Sequence, residues 1–245
     1  MRKETEMKEL LQEKGFWAAA FLCFLGMVLG FQFYEIQYPL SQGSFLKFYQ
    51  TALDSQVLLF LIPIAASLSS GAAYVRESSC GFLKFYIVRI SRMEYVKRKT
   101  LQIYAGGFLP VFISGISALL LCFLLIYPLE LQGAISWETV WKNILLLLRL
   151  SIIGGIIAEF AGIFGVVFRN YYMAYGLPFV SYYLLIILKD RYLPKMYAMY
   201  PKEWVVCQEN WGADGMGIWI FLLAFSLAAL LCHSLLLNHR IKEIN

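Results

Sequence analysis

Residues 100–129 read TLQIYAGGFLPVFISGISALLLCFLLIYPL, an uncharged stretch between Lys99 and Glu130. A helix needs about 20 mostly apolar residues to cross the roughly 30 Å hydrocarbon core of a bilayer. Helices in the core of a soluble protein are usually shorter and carry a polar face. The stretch therefore predicts a membrane-spanning helix.

Five further stretches have the same character, and the composition of the whole chain agrees with them. Of 245 residues, 60% are hydrophobic and 15% are charged, whereas soluble domains are nearer half apolar and a quarter charged. We therefore predict one all-α integral membrane domain over residues 1–245, with no soluble domain. The six predicted transmembrane helices cover about residues 15–34, 55–75, 100–129, 143–168, 170–188 and 215–238.

The distribution of Lys and Arg predicts the orientation, because these residues are enriched in the short loops that lie on the cytoplasmic side of the membrane. Residues 76–99 contain seven of them, whereas residues 130–141 contain none. Both termini are therefore expected inside the cell. Residues 1–14, which mix acidic and basic side chains, are expected to form a cytosolic in-plane helix.

The cytosolic loop 76–99 carries the most informative pattern in the chain. Ser91 followed by Glu94 matches a capping box, which predicts that a helix begins after Ser91 and runs into the third span. Before it, Phe82, Leu83 and Phe85 form an apolar run beside basic residues. That run predicts a short helix across the cytoplasmic face, where it meets either a partner protein or lipid phosphates.

Between the second and third predicted spans, the loop also contains Glu77, Gly81, Ser91 followed by Arg92, Tyr95 and Lys99. This arrangement resembles that of the ABC-2 type transporter permease family. The resemblance implies an ABC-2 exporter-like fold, with residues 76–99 as the coupling loop that docks into an ATPase and residues 189–214 as an outer helical segment. The residues expected to couple to the ATPase are Glu77, Gly81, Phe82, Leu83, Phe85, Ser91, Arg92, Tyr95 and Lys99.

The same resemblance implies the partners and the setting of the protein. A separate ABC ATPase subunit would bind ATP and Mg²⁺, and a second membrane subunit, identical or similar, would complete a dimer in the bacterial cell membrane. The sequence has no P-loop pattern, so we expect no catalytic site, cofactor or metal in this chain. We expect it to contact membrane lipid and no nucleic acid. The cargo would be amphiphilic: a peptide, a drug or a lipid-linked glycan.

Two charged residues lie inside the fourth predicted span, where a charge is costly and usually faces protein or water. Arg149 is close enough to the outer end for its side chain to snorkel outward. Glu159 lies near mid-membrane. It either lines a conduit and binds a cation, or it hydrogen-bonds a neighbouring helix or is protonated.

An aromatic stripe follows one face of the fifth predicted span. Tyr171, Tyr175, Phe179 and Tyr182 have i+4 and i+3 spacing. The stripe either gives an amphiphilic substrate a surface or packs against another span.

Small residues in the first span and aromatic residues outside the spans allow further expectations. Gly26 and Gly30 let helices approach closely, either between two subunits or within one. The aromatic segments 189–214 and 44–52 predict short helices resting at the outer membrane surface.

Two other classes of protein compete with a transport subunit. An intramembrane enzyme would need a reactive pair at shared depth, such as His with an acid. Glu159 is expected to be alone as a buried acid, with His233 and His239 near a cytosolic end, so we do not expect an enzyme. A non-transporting membrane scaffold or sensor is the third class.

Overall fold

The computed structural model describes residues 10–34, 40–41, 43–81, 90–130, 136–212 and 215–243. Most of the expected in-plane helix over 1–14 lies outside these ranges. The apolar run of Phe82, Leu83 and Phe85 lies outside them as well, so the predictions made for both segments stay predictions.

The described chain is helical from one end to the other. Three short 3-10 turns, at Phe31–Phe33, Tyr127–Leu129 and Tyr197–Met199, accompany the α-helices. The α-helices are α1 Lys14–Gly30, α2 Ser44–Leu53, α3 Gln56–Ser70, α4 Ala73–Ser79, α5 Arg92–Ile126, α6 Trp137–Phe168, α7 Tyr171–Arg191, α8 Pro201–Val206 and α9 Gly217–Lys242.

Six helical segments are long and apolar enough to cross a membrane, which confirms the predicted number of spans. They are α1, α3 together with α4, α5, α6, α7 and α9. By length and composition the chain is therefore a multi-pass membrane protein.

Side-chain caps fix where several helices begin. The Glu94 amide donates to the Ser91 hydroxyl at 3.4 Å, and α5 begins at the next residue, as the capping pattern predicted. Ser55 caps α3 in the same way, and Asn170 caps α7. Each cap satisfies an amide that the first turn of a helix leaves without a partner.

Helices α3 and α6 form the centre of the bundle. Within their apolar stretches, 71% and 72% of the residues are buried, compared with 17% for α7. Helices α5 and α6 come into backbone contact at Gly107 and Gly154, where a Cβ atom on either residue would overlap the carbonyl oxygen of the other. Helix α7 therefore lies at the edge of the bundle, with most of its surface uncovered.

The glycines of α1 pack inside the subunit. A Cβ atom at Gly30 would lie 2.6 Å from the Ser55 hydroxyl, and one at Gly26 would lie 3.0 Å from the Leu61 side chain. Of the two alternatives for these residues, the structure contains packing within one chain.

Helix α2 forms where residues 44–52 predicted a short helix. Phe45, Leu46 and Tyr49 are buried in the bundle, and the Tyr49 hydroxyl donates to the Gly115 carbonyl at 3.1 Å. The apolar face of this helix is therefore covered by protein. An amphipathic pattern identifies an apolar face, but it does not tell whether lipid or protein covers that face.

A distant carboxylate caps the N-terminus of α2. One oxygen of Glu130 accepts a hydrogen bond from the Gly43 amide at 3.1 Å, and the other accepts one from the Phe45 amide. Asn143 adds a bond from its side-chain amide to the Leu46 carbonyl at 3.3 Å. Together these bonds hold α2 against α5 and α6.

Contacts between helix ends define the two ends of the bundle. At the end that carries Glu13 and Glu243, Arg76 pairs with Glu13 at 2.6 Å, and Arg169 pairs with Glu243 at 3.4 Å. We call this the terminal end. The opposite end, which carries α2, Glu130 and α8, is called the loop end.

Candidate functional site

The terminal end contains a hydrogen-bonded network of three residues that the sequence singled out. The ammonium of Lys99 lies 2.5 Å from one carboxylate oxygen of Glu77, and the Tyr95 hydroxyl donates to the other oxygen at 2.6 Å. Lys99 also donates to the side-chain oxygen of Gln102 at 3.1 Å. Glu77, Tyr95 and Lys99 are called the coupling network from here on.

This network joins the two helices that flank residues 82–89. Glu77 lies on α4, and the other two residues lie on the first turns of α5. Tyr95 also belongs to a small apolar core with residues of α4, α5, α6 and α9: Tyr74, Val96, Val166, Leu237 and Ile241. A displacement at the base of the loop therefore reaches four helices.

The other residues predicted to couple do not join the network. Ser91 caps α5, and Arg92 is the first residue of that helix. Gly81 follows α4 with φ of +70°, a left-handed conformation that favours glycine. Of the predicted set, the structure brings together Glu77, Tyr95 and Lys99.

The aromatic stripe of α7 faces α3 and lines a cavity at each end of the contact. Tyr171 and Tyr175 line a cavity of about 330 Å³ at the terminal end, shared with Leu68, Ser69 and Arg76. The remaining two residues of the stripe lie nearer the loop end. There, Tyr182 lines a second cavity of about 300 Å³, together with Leu59 and Ile186.

Aromatic rings of α3 and α7 pack together beside the second cavity. Phe179 meets Phe60 of α3 edge to face, with ring centroids 5.5 Å apart, and Tyr183 lies 4.7 Å from Phe179 and 5.7 Å from Phe60. The sequence analysis did not identify Phe60 and Tyr183 as candidate site residues. Phe60 sits in an apolar span where no local pattern sets it apart.

A larger cavity of about 540 Å³ opens at the loop end. It is lined by Lys47, Gln50 and Asp54 from α2 and its C-terminus, by Lys202 of α8, and by neighbouring polar residues. Burial raises the pKa of Asp54 to about 6, while Arg149, Lys202 and a hydrogen bond from Gln50 oppose that rise. This carboxyl is therefore near half-protonated in mildly acidic solution.

Arg149 reaches toward the same region. Its guanidinium lies beside Cys207 and within electrostatic range of Asp54 and Glu203, all of which belong to the loop end. The side chain is therefore directed toward protein groups of the loop end. Asp54 and Lys202 were missed in the sequence analysis because single charged residues beside a span carry no pattern.

The middle of the bundle contains a buried acid–imidazole pair that the sequence analysis did not expect. Nδ1 of His233 lies 2.5 Å from a carboxylate oxygen of Glu159, and both side chains are fully buried. The imidazole lies against Gly162, where a Cβ atom would come within 2.5 Å of it. Glu159 is therefore hydrogen-bonded to a neighbouring helix, which is one of the alternatives given by the sequence analysis, but the expectation that it has no His partner at the same depth was wrong. The spacing within α6 could not reveal a partner that comes from α9.

Among the described residues no group of three or more His, Cys, Asp or Glu side chains could hold a metal ion. The described residues are helical and include six helices long and apolar enough to cross a membrane, as in a multi-pass membrane protein. No protein-family model matches the sequence, and no curated protein matches it either.

Proposed function

We propose that this chain is the membrane-spanning permease subunit of an ATP-driven transporter that exports an amphiphilic substrate. The terminal end would face the cytosol, and a separate ATPase subunit would grip residues 82–89. The coupling network is the observation that carries the proposal, because it ties Glu77 before that segment to Tyr95 and Lys99 after it.

The partial burial of the network supports a role as a mechanical linkage. The Lys99 side chain is 8% exposed and the Glu77 side chain is 25% exposed. An exposed pair contributes about 0–1 kcal/mol and breaking a fully buried pair costs about 3–5 kcal/mol, so this pair lies between those limits. A pull on residues 82–89 would therefore move α4 and α5 together before it separated them.

The groove between α3 and α7 supports an amphiphilic cargo. It has a cavity at either end, and Phe60, Phe179 and Tyr183 form an aromatic cluster beside the second one. Because 46% of Phe60 is exposed, the groove is open on one side of the single chain. A second membrane subunit against α7 would close it, and a relative movement of α3 and α7 would open one cavity and then the other.

Co-purification with the ATPase tests the proposal. Phe82, Leu83 and Phe85 are replaced by serine, one variant carrying all three changes, and the complex is isolated in detergent with its ATPase. We expect the triple variant to lose the ATPase, or to keep it with substrate-stimulated ATP turnover abolished. The matched control replaces Leu129 and Trp137 by serine, because both are exposed at the loop end. This control should leave ATPase binding and ATP turnover unchanged.

The exporter proposal fails if the triple variant binds the ATPase and turns over ATP as the wild type does. It also fails if cysteine labelling in intact cells places residues 76–99 on the outer face. The two readouts are independent, because the first concerns the partner and the second concerns the orientation.

A second function is favoured by one observation, the Glu159–His233 pair. An acid and an imidazole at shared depth are the pair that an intramembrane enzyme requires, and His with an acid is a common general-base arrangement. Both side chains are fully buried, so a substrate would reach them only after the helices part. Bond cleavage by the purified single subunit that is abolished by Glu159→Ala would establish the enzyme; a lack of cleavage by the wild type leaves the transporter.

A further inference from the structure

Two cavities adjoin at the loop end and share lining residues. The polar cavity of about 540 Å³ and the aromatic cavity of about 300 Å³ are both lined by Gln56 and Lys202. Together they have the size of a site for a small molecule, for which single cavities of about 300–1,000 Å³ are typical. Phe60, Tyr183 and Ile186 give the second cavity an apolar wall. The joined space is therefore polar at one end and apolar at the other.

The polar end carries an excess of positive charge. Lys47 and Lys202 line it, and neither makes an ion pair with another residue in the part of the chain that the structure describes. The one carboxylate of the lining, Asp54, lies within electrostatic range of both Arg149 and Lys202. The lining therefore carries two ammonium groups for one carboxylate, which leaves a net positive charge for a ligand.

A third cation stands beside the aromatic end. The ammonium of Lys189 lies 4.3 Å from the centroid of the Tyr200 ring, and Tyr200 lines the aromatic cavity. Lys189 is also paired with Asp190 at 3.3 Å, so its charge is offset. The contact with Lys189 holds the Tyr200 ring in place at the border of the aromatic cavity.

We infer that these joined cavities bind an amphiphile with an anionic head group, the head between Lys47 and Lys202 and the tail along Phe60, Tyr183 and Ile186. This inference deepens the proposed function, on which its meaning as a transport substrate depends, by naming the charge of the cargo. Two ammonium groups form charge-assisted hydrogen bonds with sulfate, phosphate or carboxylate oxygens, and these are stronger than bonds between neutral groups. A cationic head would meet two like charges.

Calorimetric titration of the purified chain, without any ATPase, tests the site. The protein is placed in phosphatidylcholine nanodiscs and titrated with octyl sulfate, whose charge does not change with pH, and with octyltrimethylammonium. Empty nanodiscs supply the correction for partition into lipid. We expect saturable binding of octyl sulfate and none of octyltrimethylammonium.

Variants assign the binding to these residues. Lys202→Ala should weaken octyl sulfate about tenfold, the equivalent of one charge-assisted hydrogen bond, and Lys202→Arg should restore most of the affinity. The matched control is Lys195→Ala, an exposed lysine of the same segment outside the lining. Hexyl sulfate should bind about 15-fold more weakly than octyl sulfate because two fewer methylene groups are buried, and Ile186→Ser should reduce that ratio.

Equal binding of the two head groups, or an unchanged affinity when Lys47 and Lys202 are both alanine, would overturn the inference. A circular dichroism spectrum and the Lys202→Arg variant guard against misfolding. A second experiment identifies the source of the ligand. In it, phosphatidylglycerol replaces a third of the nanodisc lipid. Competition with octyl sulfate then supports a membrane lipid as the ligand, and lack of competition supports a soluble amphiphile.

The two proposals fail separately. Loss of the predicted binding with an intact ATPase response would leave an exporter whose cargo lacks an anionic head. Binding that persists when the ATPase test fails would leave an amphiphile site in a membrane protein that is not an ATP-driven exporter.

Discussion

Replacing His233 by leucine should destabilise the protein strongly, because it removes the partner of Glu159 in the middle of the bundle. Both side chains are fully buried at 2.5 Å, so no water takes the place of the lost imidazole. Breaking a buried ion pair costs about 3–5 kcal/mol, and leaving a neutral buried polar group unpaired costs about 1–3 kcal/mol. The unfolding free energy should therefore fall by at least about 1 kcal/mol.

A double-mutant cycle measures the pair itself. Glu159→Leu, His233→Leu and the double variant are unfolded by titrating dodecyl sulfate into mixed micelles, with tryptophan fluorescence as the signal. We expect the double variant to be less destabilised than the sum of the two single variants, because apolar residues replace a buried ion pair at little cost or with a gain. A coupling energy above about 3 kcal/mol indicates an ion pair, and one near 1 kcal/mol indicates a neutral hydrogen bond.

The control for this cycle lies one residue away. Cys232 is exposed on α9, so Cys232→Leu should neither destabilise the protein nor couple to Glu159→Leu. Independent sites add within about 0.3–0.5 kcal/mol. A coupling energy between Glu159 and His233 below that limit would refute the argument that these two residues form one buried unit.

Three further outcomes follow from the loop end and the terminal end. Burial raises the pKa of Asp54 to about 6, so the protonated carboxyl contributes its full share to the unfolding free energy below about pH 4. That contribution is lost as the pH rises through 6. Unfolding titrations at a series of pH values should show this step, and Asp54→Asn should remove it. Lys99→Ala should lower the ATP turnover of the assembled complex while the ATPase stays bound, whereas Lys97→Ala, an exposed change on the same helix, should leave turnover unchanged. Glu130→Ala should lower the unfolding free energy by about 1–2 kcal/mol, the cost of losing a helix cap, and an effect within error would contradict the capping role.

The spans and the start of α5 could be predicted from the sequence because their causes are local. An uncharged stretch such as residues 100–129 predicts a membrane span from its own length and apolar composition alone. The Ser91 cap needs only a partner three residues ahead. For these features, the residues that interact are also near one another in the chain.

The pairings between helices could not be predicted, because they depend on how each helix is rotated about its axis. Glu159 and His233 are 74 residues apart, and nothing within either helix points to the other. Phe60 meets Phe179 for the same reason. The sequence showed which residues were costly or aromatic, but their partners depended on packing.

Helix α2 also has a consequence for the order in which the chain is made. The carboxylate that holds its N-terminus is 85 to 87 residues further along the chain. A ribosome adds about 5–20 residues each second, so α2 exists for roughly 4 to 17 s before Glu130 is synthesised. Glu130 can therefore hold the N-terminus of this helix only after that delay, so the docking of α2 is completed well after its synthesis.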